Sequence, residues 1–144
     1  MKSPAVRLKA LLELRDREVE TAERALAGAV RHLEDALARL AAAKARFDDA
    51  MERAASEVGT AWDLGYSRTH LETLRGGLDR LAAEISEARV AEAHARGVMV
   101  EAKREKKKLE LWCDARTREI DAEEARVERR ATDEIALRGA RRHD

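Results

Sequence analysis

Every seventh residue from Leu12 to Ala54 is apolar: Leu12, Val19, Leu26, Leu33, Leu40, Phe47 and Ala54. Ala22, Ala29, Ala36, Ala43 and Ala50 fall between them, so apolar side chains recur at alternating steps of three and four. Sustained over about six heptads, that spacing is the seam of a coiled coil rather than the stripe of a globular helix. The first helix has a readable start. Ser3 is placed to cap free backbone N–H groups, and Pro4 suits the first helical position, where its missing N–H costs nothing.

No proline and one glycine, Gly28, occur from there to about Val58. The phase then breaks through Gly59-Thr60-Ala61-Trp62-Asp63-Leu64-Gly65-Tyr66-Ser67. A second helix is expected from a capping box, Thr69-His70-Leu71-Glu72, in which hydroxyl and carboxylate each satisfy a backbone N–H. Its seam reads Leu71, Leu74, Leu78, Leu81, Ile85, Ala88, Ala95, Met99, Ala102 and Leu109. Gly76-Gly77 lies inside it without shifting its phase, which suggests a bend or a close contact. Arg138 in a last turn, with Gly139 as a left-handed cap, marks the expected end.

Two long helices joined by a short turn fold back on each other. The expected fold is therefore all-α, a long antiparallel two-helix coiled-coil hairpin over residues 1–144. Helix 1 would span about 4–58, the turn 59–68 and helix 2 about 70–138, with a short tail at 139–144. Each arm would be about 90 Å long at 1.5 Å rise per residue. A turn centred near Leu64-Gly65 would leave helix 2 projecting past the start of helix 1 from about Arg126 onward. Seam quality also falls along helix 2, where Glu92, Lys106, Arg116, Glu123, Arg130 and Glu134 take seam positions. Beyond Leu109 only Cys113, Ile120, Val127 and Leu137 remain apolar there. The open end should be looser than the turn end.

Composition supports a rod over a globule. Charged residues make up 40% of the chain and aromatics 3%, while alanine, which buries little area, supplies nearly half of the hydrophobic count. The 29 basic and 29 acidic residues cancel and are interspersed, which argues against a nucleic-acid or anionic-membrane surface. Cys113 is the only cysteine, so no intrachain disulfide is possible and a reducing compartment is expected. No apolar run approaches the roughly 18 residues of a membrane span, so a soluble, cytoplasmic chain without membrane insertion is expected.

No catalytic constellation, metal-ligand cluster or phosphate-binding glycine loop is visible, so neither enzyme activity nor a cofactor is expected. His32, His70, His94 and His143 are scattered and read as solvated. The most basic window, Lys103-Arg104-Glu105-Lys106-Lys107-Lys108, is either a solvated face or a surface for an acidic protein partner, which is favoured over nucleic acid. Val30, Leu37, Met51 and Val58 share a heptad position beside the first seam. They are either a flank covered by long side chains or a docking surface. Trp62, Leu64 and Tyr66 make the docking argument more strongly, because a two-helix turn offers little core to bury them. Leu111 and Trp112 lie off the seam and are weaker candidates.

The opening, Leu8-Lys9-Ala10-Leu11-Leu12-Glu13-Leu14-Arg15-Asp16-Arg17-Glu18, resembles the start of the FliJ family of flagellar export proteins. So does the distal order of Glu101-Ala102-Lys103-Arg104-Glu105-Lys106-Lys107-Lys108-Leu109-Glu110, then Glu123-Glu124-Ala125-Arg126, then Asp133-Glu134-Ile135-Ala136-Leu137-Arg138. The related YscO family of virulence type III secretion is similar in architecture.

The resemblance implies an antiparallel hairpin like the central stalk of a rotary ATPase. The paired termini would sit in a hexameric export ATPase ring, and the rest would reach a membrane export gate and bind export chaperones. The chain would then be peripheral to an inner-membrane export apparatus. Carried onto this sequence, Arg126, Arg129, Arg130, Asp133, Glu134 and Arg138 would contact the ring, with Lys106, Lys107 and Lys108 as helpers. Met51, Val58, Trp62, Leu64 and Tyr66 would face the gate or a chaperone. The alternative is a free-standing coiled-coil chaperone or adaptor without an ATPase partner.

Overall fold

A computed structural model describes residues 4–56, 59 and 61–143, except for the side chains of Pro4 and Trp62. Two helices account for nearly all of them: α1, Pro4–Ser56, and α2, Ala61–His143. They pack antiparallel as a helical hairpin, in the fold class the heptads indicate. Helix α1 is described from Pro4 onward, while the capping residue Ser3 and the docking candidate Val58 lie outside the described residues.

Helix α2 differs from expectation at both ends. It starts at Ala61, so Leu64-Gly65 and the supposed capping box lie within it. Thr69 Oγ1 donates to the Gly65 carbonyl at 3.0 Å and Thr73 Oγ1 to the Thr69 carbonyl at 3.0 Å. Each hydroxyl thus bonds back one turn along a helix already under way, the usual use of a mid-helix threonine. Asp63 supplies a negative charge in the first turn, where the helix dipole favours it.

At the far end, α2 runs through Gly139 to His143, with Arg141, Arg142 and His143 as cations in its last turn. No described glycine has positive φ, so Gly139 is no left-handed cap. Gly76 and Gly77 likewise sit inside the helix. The roughly 1 kcal/mol that each glycine costs relative to alanine is spread over a long packed helix and does not interrupt it. Gly59 is different: a Cβ there would meet Asp63 Oδ2 at 2.8 Å, so a larger residue would require the Asp63 side chain to shift.

The chain divides into two compact units, each built from both helices. The unit Val19–Glu101 holds the buried core: Val19, Ala22 and Ala36 from α1 with Ile85 and Ala88 from α2. Ala36 is completely buried. Leu26, Leu33, Leu40 and Phe47 on α1, and Leu71, Leu74, Leu78 and Leu81 on α2, are half-buried around it. Small alanines let the backbones approach, and the larger residues fill the layers between.

Cross-helix pairs fix the register of this unit. Arg39 donates from both terminal guanidinium nitrogens to Glu84, one of them at 3.4 Å, and His32 Nε2 lies 4.0 Å from the same carboxylate. The Arg75 guanidinium stands 5.9 Å from the centre of the Phe47 ring. The midpoint between Phe47 and Arg75 is Ala61, a few residues before the expected turn centre.

The other unit comprises Met1–Glu18 and Ala102–Asp144. Leu8, Leu12 and Arg15 on α1, with Ala102, Lys106, Leu109 and Cys113 on α2, are its half-buried seam. Lys106 Nζ pairs with Asp16 Oδ1 at 2.8 Å, which again places the midpoint at Ala61. That register exhausts α1 earlier than a turn at Leu64-Gly65 would. From Asp114 to His143 every residue but Ala125 is exposed, so the unpaired stretch begins well before Arg126.

Candidate functional site

The residues singled out for contact fall at two places, one in each unit. In the unit that contains the termini, Arg126, Arg129, Arg130, Asp133, Glu134 and Arg138 all lie on the exposed stretch of α2. At 100° per residue they occupy one half of the helical circumference. Arg126 Nη2 pairs with Glu123 at 3.2 Å. Arg130 and Glu134, and Glu134 and Arg138, have the i,i+4 spacing that commonly forms ion pairs. Yet among the described residues no ion pair engages Arg129, Arg130, Asp133, Glu134 or Arg138. Their charges are solvated and open to a partner.

The basic window divides. Lys106 is half-buried in the seam and turned to Asp16, with Glu110 3.9 Å away, so it serves the helix–helix contact. Lys108 pairs with Glu105 at 3.1 Å, and both it and Lys107 are exposed. The outward members of the supposed ring helpers are therefore Lys107 and Lys108.

At the turn end of the other unit, the structure separates residues that the sequence grouped. Met51 and Leu64, both about half exposed, line one groove of about 400 Å³ with Phe47, Leu71, Arg68 and Arg75. Tyr66 belongs to a second cleft, of about 790 Å³, with Asp49, Arg53, Asp63 and His70. Its ring is 71% exposed and stacks on the His70 imidazole at 6.5 Å, with an interplanar angle of 9°. One groove is apolar at its centre with Arg68, Glu72 and Arg75 at its edges, and the other is charged with one aromatic wall. Val58 and the Trp62 side chain lie outside what is described.

Val30 is half-buried and Leu37 is 38% exposed, so the flank beside the first seam is partly covered. Other exposed apolar residues were not singled out by sequence: Leu11 and Leu14 on α1, and Val90, Val98 and Val100 on α2. Their only sequence signal is an apolar residue at an off-seam heptad position, which alanine-rich helices produce often.

Among the described residues no group of three or more His, Cys, Asp or Glu side chains is placed to hold a metal ion. No described helix is long and apolar enough to cross a membrane.

Neither the curated proteins nor the solved structures contain a match to this chain. The family model described as "Flagellar FliJ protein" matches residues 4–144, nearly the whole sequence. The chain therefore belongs to the FliJ family, whose members are components of the flagellar export apparatus.

Proposed function

We propose that this protein is the non-enzymatic central stalk of a flagellar export ATPase. Its paired termini enter the hexameric ring and promote ring assembly and turnover, while its turn end meets the export gate and export chaperones. One observation carries the reading: past Cys113, α2 continues for about 45 Å at 1.5 Å per residue with almost no side chain covered. A helix that displays unpaired arginines and carboxylates on one half of its surface suits a polar lumen lined by several subunits. It suits a solitary rod poorly, because its polar seam positions stabilise nothing without a partner.

The assigned ring contacts are Arg126, Arg129, Arg130, Asp133, Glu134 and Arg138, assisted by Lys107 and Lys108. The gate or chaperone contact is the Met51–Leu64 groove, with Tyr66 offering a separate face. Co-purification with the export ATPase encoded by the same organism tests the reading. Capture of the hexamer by the full chain, lost when α2 is truncated after Cys113, supports it. Capture of chaperones with no ATPase in the complex would favour the free-standing adaptor instead.

A further inference from the structure

The exposed stretch of α2 carries more order than a generic polar helix needs. From Asp114 to Glu128 it holds six carboxylates and three arginines, and from Arg129 to Arg142 five arginines and two carboxylates. It is acidic first and basic afterwards, so the stretch complements itself when reversed. The seam phase also continues unpartnered: Cys113, Ile120, Val127, Glu134 and Arg141 form one row, with Arg116, Glu123, Arg130 and Leu137 in the other. Ile120, Val127 and Leu137 are 48%, 56% and 61% exposed, three large apolar side chains facing water on one stripe.

We infer that this stripe docks a second copy of the same segment, antiparallel, to form a two-fold symmetric helix pair. In antiparallel seams a residue of one row meets the other row of the partner helix. One register sets Val127 against Leu137 of the second copy and Arg130 against Glu134 of the second copy. The same register sets Glu123 against Arg141 of the second copy, and each of these contacts occurs twice. On the flank it opposes Glu124 to Arg138 of the second copy and Ala131 to its own twin at the dyad.

Asp133 also meets its twin, the one like-charge contact against three kinds of ion pair each made twice. Sliding the second copy by one heptad sets Glu123 against Glu134 in one direction and Arg130 against Arg141 in the other. The charge pattern thus selects one register, as charged flanks do in coiled coils generally. Because Arg130, Glu134 and Arg138 serve both surfaces, the self-pair and the proposed ring contact exclude one another. The pairing itself stands whether or not the ring reading does.

The test uses the full chain alone, without ATPase, in sedimentation equilibrium. An overlap of about 28 Å is short, so the chain should be mostly monomeric near about 1 µM and mostly dimeric by about 300 µM. Arg130→Glu and Glu134→Arg, each alone, should remove the dimer, and the two together should restore it, with helicity by circular dichroism unchanged in all three. In a Cys113→Ser background, mixing Val127→Cys with Leu137→Cys should give a disulfide-linked dimer that neither gives alone. A monomer at every concentration, a double variant that stays monomeric, or self-cross-linking of either cysteine variant would overturn the proposal.

Discussion

Lys106 Nζ on α2 lies 2.8 Å from Asp16 Oδ1 on α1, in the last well-covered layers of the seam before α1 runs out. The pair explains a lysine at a seam position and removes that lysine from the outward basic face. Both side chains are partly exposed, so the contact sets register more than it adds stability. Lys106→Ala should lower unfolding free energy by less than about 1 kcal/mol, read as a melting shift of a few degrees. It should leave ATPase stimulation intact, whereas loss of stimulation without loss of stability would return Lys106 to the ring surface.

The alanine layer of the unit Val19–Glu101 is a packing requirement. Ala36 is completely buried, and Ala22 and Ala88 are 4% and 3% exposed. Ala36→Leu should cost about 1–3 kcal/mol by overpacking, measured by urea unfolding. The neighbouring Leu37→Ala, on the partly covered flank, should cost markedly less. Equal effects at the two positions would mean that the helices do not approach through Ala36.

Glycines inside α2 are a reservoir of stability. A Cβ built on Gly76 or Gly97 meets nothing within 4 Å, and neither residue has positive φ. Gly76→Ala and Gly97→Ala should each stabilise by about 0.5–1 kcal/mol through helix propensity and a less entropic unfolded chain. Differential scanning calorimetry reads this as a higher melting temperature. A lower one at Gly76 would mean that the helix bends there after all.

At the turn end, the Met51–Leu64 groove and the Tyr66 face are distinct surfaces. Met51→Glu and Leu64→Glu should each weaken capture of the gate's cytoplasmic domain or of a chaperone in a pull-down, with melting temperature and ATPase stimulation unchanged. Tyr66→Ala tests the Tyr66 cleft separately. Full capture by both groove variants would remove that groove from the account.

The heptad row of α1 was fully legible: every residue of it from Leu12 to Ala54 is at least half-buried. That follows because a seam of fixed period constrains each position by geometry alone. The turn was not legible. Gly59 does fall between the helices, but Gly65 and the Thr69–Glu72 motif also signal a break, and those local preferences are worth about 1 kcal/mol each. Packing of Leu71, Leu74 and Phe47 across the hairpin outweighs them, so the reversal closes before Ala61 and the register shifts with it.

The same shift explains why the unpaired stretch of α2 begins near Asp114 instead of Arg126. At the contact surfaces, the sequence grouped residues by chemical type along the chain. It could not tell that Lys106 turns inward to Asp16 or that Met51 and Tyr66 face different clefts, because both depend on the cross-helix register.

In the proposed stalk role, exposed charge on distal α2 drives an export ATPase. Steady-state ATP turnover by the purified hexamer, with and without stoichiometric chain, tests it most directly when Arg129→Glu/Arg130→Glu is compared with the unaltered protein. Both residues are exposed and neither is engaged in an ion pair, so helicity and melting should be unchanged. The unaltered chain should raise turnover several-fold, and the charge-reversed chain should leave it at the ATPase-alone rate. Equal stimulation by the two proteins would contradict the assignment.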